Sequence, residues 1–311
     1  MDIALVGIGQ IAREEHIPAI AASPDWELKA CVSRRNAVEG VENYSDFDTF
    51  LERREDIRVV SLSLPPVPRF GYAARAIRTG RHVMLEKPPG ASLAECYKLA
   101  ELARLHRVSL FATWHSREAA MVDVAQAWLA DKRLERLHIT WEEDVRHWHP
   151  GQDWIWEPGG LGVFDPGINA LSILTKILPE RLHLIEAHLE IPENKQGPIA
   201  ARMSFSYPSG ADVTASFDWR QQGEQIWRIE AETDGGTLVL NDGGARLDLD
   251  GVAQQSEGSE GSALAGEYPR LYEKMATLVA TGTSDIDFEP LRHVADAFLL
   301  GNRCITASFN D

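Results

Sequence analysis

The chain has 311 residues, 44% hydrophobic and 25% charged, which suits two domains with substantial cores and is not the composition of a disordered segment. Its 31 basic against 47 acidic side chains give a formal net charge of −16, which argues against nucleic-acid and anionic-membrane partners, because those call for clustered Lys and Arg. The opening residues show no basic stretch followed by a long apolar one, so the expectation is a cytoplasmic protein with neither signal peptide nor transmembrane helix.

Short apolar runs at 3–7, 28–33, 59–64, 82–86 and 109–112 alternate with helical patterns beginning near Ile11, Phe47, Phe70 and Leu93. That rhythm predicts a parallel sheet with crossover helices. Pro18 is expected to kink or shorten the first helix, and Ser92 with Glu95 resembles a capping box. After Ser116 the pattern changes to a helix at 118–130, a strand at 137–145, a loop rich in Trp, Pro and Gly, and a helix from Pro166. Strands follow at 182–191, 200–207, 211–218, 226–233, 236–240 and 246–249, joined by turn sequences such as Pro208-Ser209-Gly210 and Asp234-Gly235-Gly236, which predicts a mostly antiparallel sheet. Residues 254–266 are expected to form a mobile loop before helices at 269–281 and 290–307. The fold class is therefore α/β, with a doubly wound dinucleotide-binding domain over 1–116 and an α+β substrate domain over 117–311. Packing of the last helix back on the first domain stays open. Cys31, Cys96 and Cys304 are odd in number and far apart, and read as reduced, buried thiols.

Gly7-Ile8-Gly9-Gln10-Ile11-Ala12 fits G-x-G-x-x-A between a strand and a helix. Gly7 serves the tight turn, Gly9 lets the backbone approach a pyrophosphate, and Ala12 lets the helix pack closely, with Gln10 and Ile11 completing the loop. At the end of the second strand an NAD-selective site usually places Asp or Glu, and this chain has Ser33 and Arg34 instead. Both can bind a 2′-phosphate, so NADP is the preferred cofactor with NAD use possible, the alternative being a solvated surface for the arginines. Pro65, Glu86 and Lys87 follow later strands at the carboxyl edge, where open α/β sheets place ligands, and are taken as further cofactor contacts. The Lys87 ammonium there could also orient a substrate hydroxyl and stabilise a developing alkoxide.

The combination of this glycine motif, Glu86-Lys87-Pro88 and Gly159-Gly160 followed by Asp165-Pro166-Gly167-Ile168-Asn169 resembles the glucose-fructose oxidoreductase, inositol dehydrogenase and MocA family over most of the chain. The resemblance implies a Rossmann domain, an open-faced carboxy-terminal sheet and nicotinamide-dependent oxidation or reduction of a sugar carbon. It also assigns Lys87, Asp165 and, where most members have His, Asn169 to the active site. Asn donates and accepts hydrogen bonds but does not carry a proton near neutral pH, so Asn169 orients, Asp165 is the general base and Lys87 polarises oxygen. A spacing of four puts Asp165 and Asn169 on one helix face, and a helix cap ahead of Pro166 is the alternative for Asp165.

Trp114–Arg117, Glu86–Ala91 and above all Arg146–Pro158 look like bacterial L-arabinose and D-galactose 1-dehydrogenases, which oxidise the anomeric carbon to a lactone. In this reading flat tryptophan faces, including Trp148 and Trp227, pack on the sugar while His115, Glu143 and His149 bond its hydroxyls. Packing accounts for at least two of Trp141, Trp148, Trp154 and Trp156. His147 and His149 lack a third ligand, so no metal is expected. The alternatives are a dehydrogenase acting at a ring carbon and a cofactor-binding regulatory protein without turnover. The partner is a small-molecule aldose, and both monomer and homodimer remain open.

Overall fold

The structure, a computed structural model, describes residues 1–255 and 266–310 and divides into two compact units. Met1–His115 and Glu267–Phe288 form one; Ser116–Gly266 and Glu289–Asp311 form the other. Of the loop expected at 254–266, residues 256–265 lie outside the described residues.

The first unit is built on six parallel strands, β1 (Asp2–Val6), β2 (Glu27–Val32), β3 (Glu42–Tyr44), β4 (Val59–Leu62), β5 (His82–Leu85) and β6 (Leu110–Ala112), in the order β3-β2-β1-β4-β5-β6. Its central strands are apolar on both faces because helices cover both, and Leu5, Val60, Leu62 and Val83 are fully buried. Three-residue β3 is too short to show in a hydrophobic pattern. Behind the glycine loop the chain makes a wide π-type turn, Ala12–His16, before α1 (Ile17–Ala22). Pro18 lacks an N–H, and the wide turn is closed by Ile17 N–H bonding the Ala12 carbonyl. Asp46 caps α2 (Phe47–Arg53) by accepting from Thr49 N–H at 2.8 Å. Helix α3 (Pro66–Arg78) starts before the expected Phe70, since Pro66 occupies the first position, where a missing N–H costs nothing. Ser92 caps α4 (Leu93–His106) through Glu95 N–H, while the Glu95 carboxylate returns to Ala91 N–H rather than to Ser92.

The second unit holds β7 (Leu134–Glu142), β8 (His183–Pro192), β9 (Ala200–Ser206), β10 (Asp212–Asp218), β11 (Ile226–Thr233), β12 (Gly236–Asn241), β13 (Arg246–Leu249), β14 (Val252–Ala253) and β15 (Asn302–Thr306). The nine-stranded sheet runs β14-β13-β12-β11-β7-β10-β9-β8-β15 and is antiparallel except for β7 with β10 and β8 with β15. Leu137, Ile139 and Trp141 of β7 face the core beside Val213, Ala215 and Phe217 of β10, whereas Arg136, His138, Thr140 and Glu142 point to the open face. On the core side lie α5 (Val122–Leu129), shorter than the expected 118–130, and α7 (Phe164–Ile177), with the four-residue α6 (Val145–Trp148) in the loop between them where a strand end was expected.

Two expectations for the carboxy-terminal part are corrected. The last helix is Glu289–Leu300, and the residues beyond it form β15 beside β8 instead of continuing to 307. Gly301 supplies the stop: an added Cβ would sit 2.4 Å from the Ala297 carbonyl oxygen. The helix that belongs with the first unit is Glu267–Thr281, not the last one, because it buries Tyr268, Leu271, Tyr272 and Met275 there. Cys31 and Cys96 are buried, and burial pushes their thiols up to about 11 and about 12, whereas Cys304, on β15, is exposed and not buried as expected. Among the described residues no helix is long and apolar enough to cross a membrane.

Candidate active site

At the amino-terminal end of the first unit, Gly7 turns with φ +90°, and a Cβ there would come within 2.9 Å of Leu64. Gly9 faces open space, with nothing within 4 Å of an added Cβ, which suits close approach of a phosphate to the backbone. Gln10 is exposed and donates to Glu14, and Ala12 is fully buried against the sheet. At the end of β2, Ser33 Oγ accepts from Asn36 N–H at 3.2 Å, and the Asn36 amide donates to the Ile8 carbonyl at 2.5 Å. Asn36 thus ties the Ser33–Arg34 loop to the glycine loop, a role the sequence did not disclose. Arg34 and Arg35 are both exposed beside Ser33, and no carboxylate ends the strand. These features fit a nicotinamide dinucleotide.

Lys87 follows β5 and is half-buried. Its N–H donates to Glu86 Oε2 at 2.6 Å, the Tyr268 hydroxyl donates to Glu86 Oε1 at 2.7 Å, and His16 Nε2 lies 3.3 Å from that oxygen. Burial alone would raise the Glu86 carboxyl, but His16, the charge of His115 and the Tyr268 hydroxyl together hold it well below the usual carboxylate range. Burial and the Glu86 carboxylate push the Tyr268 phenol up, so it remains a donor. The structure therefore turns the Glu86 side chain, expected among the cofactor contacts, toward this buried network. Pro65 stands exposed just ahead of α3. His115 Nδ1 is 2.6 Å from Glu267 Oε2, and its ring stacks on Tyr268 at 5.7 Å, so it is held in place from two sides.

In the second unit the register dictates a cluster. Trp141 and Glu143 fall on the core face at the end of β7, Trp227 pairs with Trp141 across β11, and Trp219 follows β10. Glu143 accepts from Trp219 Nε1 at 3.2 Å and Trp227 Nε1 at 2.8 Å. Trp141 and Trp227 stack at 5.8 Å, and Trp148, with its indole N–H on Gln225, leans on Trp227 at 5.4 Å. Trp141 and Trp156 are buried packing residues, Trp154 is half-buried and Trp148 is exposed. Trp219 was missed by sequence reading, and its place two residues beyond Phe217 on an alternating strand is the signal that could have found it.

Asp165 and Asn169 sit inside α7, whose cap is Val163, so Asp165 is not the cap residue. Asp165 is 4% exposed, and His149 Nε2 lies 3.5 Å from its carboxylate while the imidazole rests near Trp219 at 5.4 Å. The second unit thus brings Asp165, Asn169, His149, Glu143, Trp148, Trp219 and Trp227 to the end of one sheet and the start of one helix. A carboxylate beside an imidazole over aromatic faces can exchange a proton with a polyhydroxylated ring.

Residues 1–113 match the GFO/IDH/MocA family, an oxidoreductase family with an NAD-binding Rossmann fold. Galactose 1-dehydrogenase of Pseudomonas fluorescens is 41% identical over 309 residues, covering 99% of this chain and 98% of that protein. The crystal structure of D-galactose-1-dehydrogenase from Rhizobium etli is 49% identical and superposes with a TM-score of 0.94 over 99% of this chain and 97% of that one. A 3-ketoreductase from Actinomadura kijaniata, solved with NADP and TDP-benzene, shares the fold at 18% identity, with a TM-score of 0.82 over 100% and 99% of the two chains.

Proposed function

The chain belongs to the glucose-fructose oxidoreductase, inositol dehydrogenase and MocA family and is a nicotinamide-dependent sugar dehydrogenase, and on that premise we propose that it oxidises the anomeric carbon of D-galactose, L-arabinose or both to the aldonolactone. The observation that carries this reading is the buried Asp165 carboxylate beside His149, four residues ahead of Asn169 on one helix. The cofactor, when bound, accepts the hydride that leaves C1. Asp165 takes the proton from the anomeric hydroxyl, the Lys87 ammonium stabilises charge developing on that oxygen, and Asn169 holds the ring in register. Trp148 and Trp227 give the sugar an aromatic wall, and His115, Glu143 and His149 bond its hydroxyls. Gly7, Gly9, Gln10, Ile11, Ala12 and Pro65 hold the dinucleotide, and Ser33 with Arg34 favours NADP over NAD. The setting is the cytoplasm, with the enzyme acting as a monomer or homodimer.

D-galactopyranose and L-arabinopyranose share their configuration from C2 to C4 and differ at C5 by CH2OH against H. Contacts to the common hydroxyls serve both, and a difference of that size in a pocket is worth about 1–3 kcal/mol. Comparing kcat/KM for D-galactose, L-arabinose, D-fucose and D-glucose with both cofactors tests the reading. The expected result is activity on the first three, with NADP preferred. A 1-deoxy sugar should be inert, and its oxidation would place the chemistry at a ring carbon. Lys87→Ala and Asp165→Asn should each lower kcat by about 10²-fold or more while cofactor affinity holds. Near-normal kcat in either variant contradicts that residue's role.

A further inference from the structure

Arg69, near the start of α3, is a charged side chain only 2% exposed, and the proposed reaction gives it nothing to do. Burying a guanidinium is costly unless its donors are used, and here the fork is directed at backbone. Nε donates to the Leu64 carbonyl at 2.9 Å and Nη2 donates to the same oxygen, while Nη1 donates to the carbonyls of both Glu86 and Pro88. Those last two acceptors flank Lys87 in sequence. On the other side of the same peptide unit, the Glu86 carboxylate accepts the Lys87 N–H and is itself held by Tyr268 and His16. The peptide joining Glu86 to Lys87 is thereby held at both its C=O and its N–H by a buried charged side chain, and the Leu64 contact ties the loop after β4 to the loop after β5.

We propose that Arg69 is a positioning residue for Lys87: its guanidinium, opposite the Glu86 carboxylate, fixes the peptide from which the Lys87 ammonium reaches substrate. A planar fork with donors in fixed directions can hold two successive loops at once, which a lysine ammonium on a flexible stem cannot do equally well. Placement matters to rate, since a displacement of about 1 Å can cost about 10²-fold. The proposal rests on the catalytic reading of Lys87, and the experiment separates the two.

The test measures kcat, sugar KM and cofactor Kd for Arg69→Ala, Arg69→Lys and Lys87→Met, with kcat expressed per cofactor-binding site so that loss of folded protein does not count. Arg69→Ala should lose about 10- to 100-fold in kcat, with cofactor Kd and sugar KM changed by less than about threefold. Guanidinium at millimolar concentration and constant ionic strength should restore part of that loss, and Arg69→Lys should fall between the alanine variant and the parent. A merely structural role would lower the melting temperature and the site count but leave kcat per site and guanidinium rescue unmoved. Should Arg69→Ala fail to fold, Arg69→Lys decides alone. Parent-like kcat per site in the Arg69 variants, with Lys87→Met strongly impaired, overturns the positioning role and leaves the catalytic one standing. An active Lys87→Met enzyme instead overturns the reading of Lys87 and, with it, this inference.

Discussion

Glu143 is held by chemistry that a near-isosteric replacement would break. Each of its oxygens accepts an indole N–H, one from Trp219 and one from Trp227. In Glu143→Gln one oxygen becomes an NH2 group facing a donor, leaving a buried polar group unpaired at about 1–3 kcal/mol. The variant is expected to raise sugar KM by about tenfold, with the KM for cofactor unchanged and the tryptophan emission shifted. An unchanged sugar KM would show that the indoles are fixed by packing alone. Glu86 makes a prediction about pH. Its carboxyl lies below the ordinary range in the folded protein and titrates at about 4.3 when unfolded, so its contribution is complete above that value and is lost as pH falls through the folded one. Below about pH 4.3 the unfolded chain binds the extra proton, and stability drops by at most about 1.4 kcal/mol per pH unit from this group. Urea midpoints between pH 5 and 3 should fall less steeply for Glu86→Gln than for the parent; parallel slopes would contradict the depressed value. Glu86 could be picked out in the sequence because it stands beside Lys87 after a strand. Arg69 could not, since its acceptors are carbonyls whose positions exist only once two loops have folded.

At the level of elements, α7 carries the two polar groups of the proposed reaction and owes its position to Gly167. A Cβ at that residue would lie 2.8 Å from Phe217 Cδ1 and 3.0 Å from Cε1. Phe217 cannot swing clear, being 1% exposed and edge-on to Phe164 at 5.7 Å. Helix propensity favours alanine by about 1 kcal/mol, and overpacking costs about 1–3 kcal/mol, so the steric effect should win. Gly167→Ala is expected to be less stable by about 1 kcal/mol in urea unfolding, and to lose kcat as Asp165 and Asn169 shift with the helix. A more stable variant would mean that the ring yields. The helix itself was readable from Pro166 onward, two residues after its start at Phe164, because a proline is tolerated in the first turn and apolar residues recur behind it. Strand β15 was not, because Asn302–Thr306 is short and follows a helical pattern, and only the Gly301 stop separates the two. Strands β11 and β13 were legible to the residue because a turn sequence borders each and polar and apolar residues alternate along Arg228–Ala231 and Arg246–Leu249.

For the whole molecule the decisive fact is that the first unit is discontinuous in sequence. Reading along the chain suggested a domain complete at residue 116, because the periodic βα pattern ends there and the later segment carries no local mark of where it packs. The structure adds Glu267–Phe288 to that unit. Trp26 Nε1 donates to the Tyr272 carbonyl, His16 Nδ1 lies 2.7 Å from the Tyr272 hydroxyl, and Ser109 Oγ donates to the Leu278 carbonyl. Farther on, Ala112 N–H bonds the Asp285 carbonyl and Asp285 N–H bonds that of Leu110, so this segment also covers the outer edge of β6. Tyr268, Leu271, Tyr272 and Met275 are each at most 1% exposed. At about 1.5–3 kcal/mol per buried side chain, their burial rivals the whole net stability of about 5–15 kcal/mol expected of a domain. A polypeptide of residues 1–116 should therefore lack a cooperative thermal transition and fail to bind the dinucleotide. Joining 266–288 to it through a flexible glycine-serine linker should restore both, as read by circular dichroism and cofactor fluorescence. A cooperative melt from 1–116 alone would show that the returning helix is an addition to a unit already complete, and the buried Tyr268–Glu86 contact would then be dispensable for its folding.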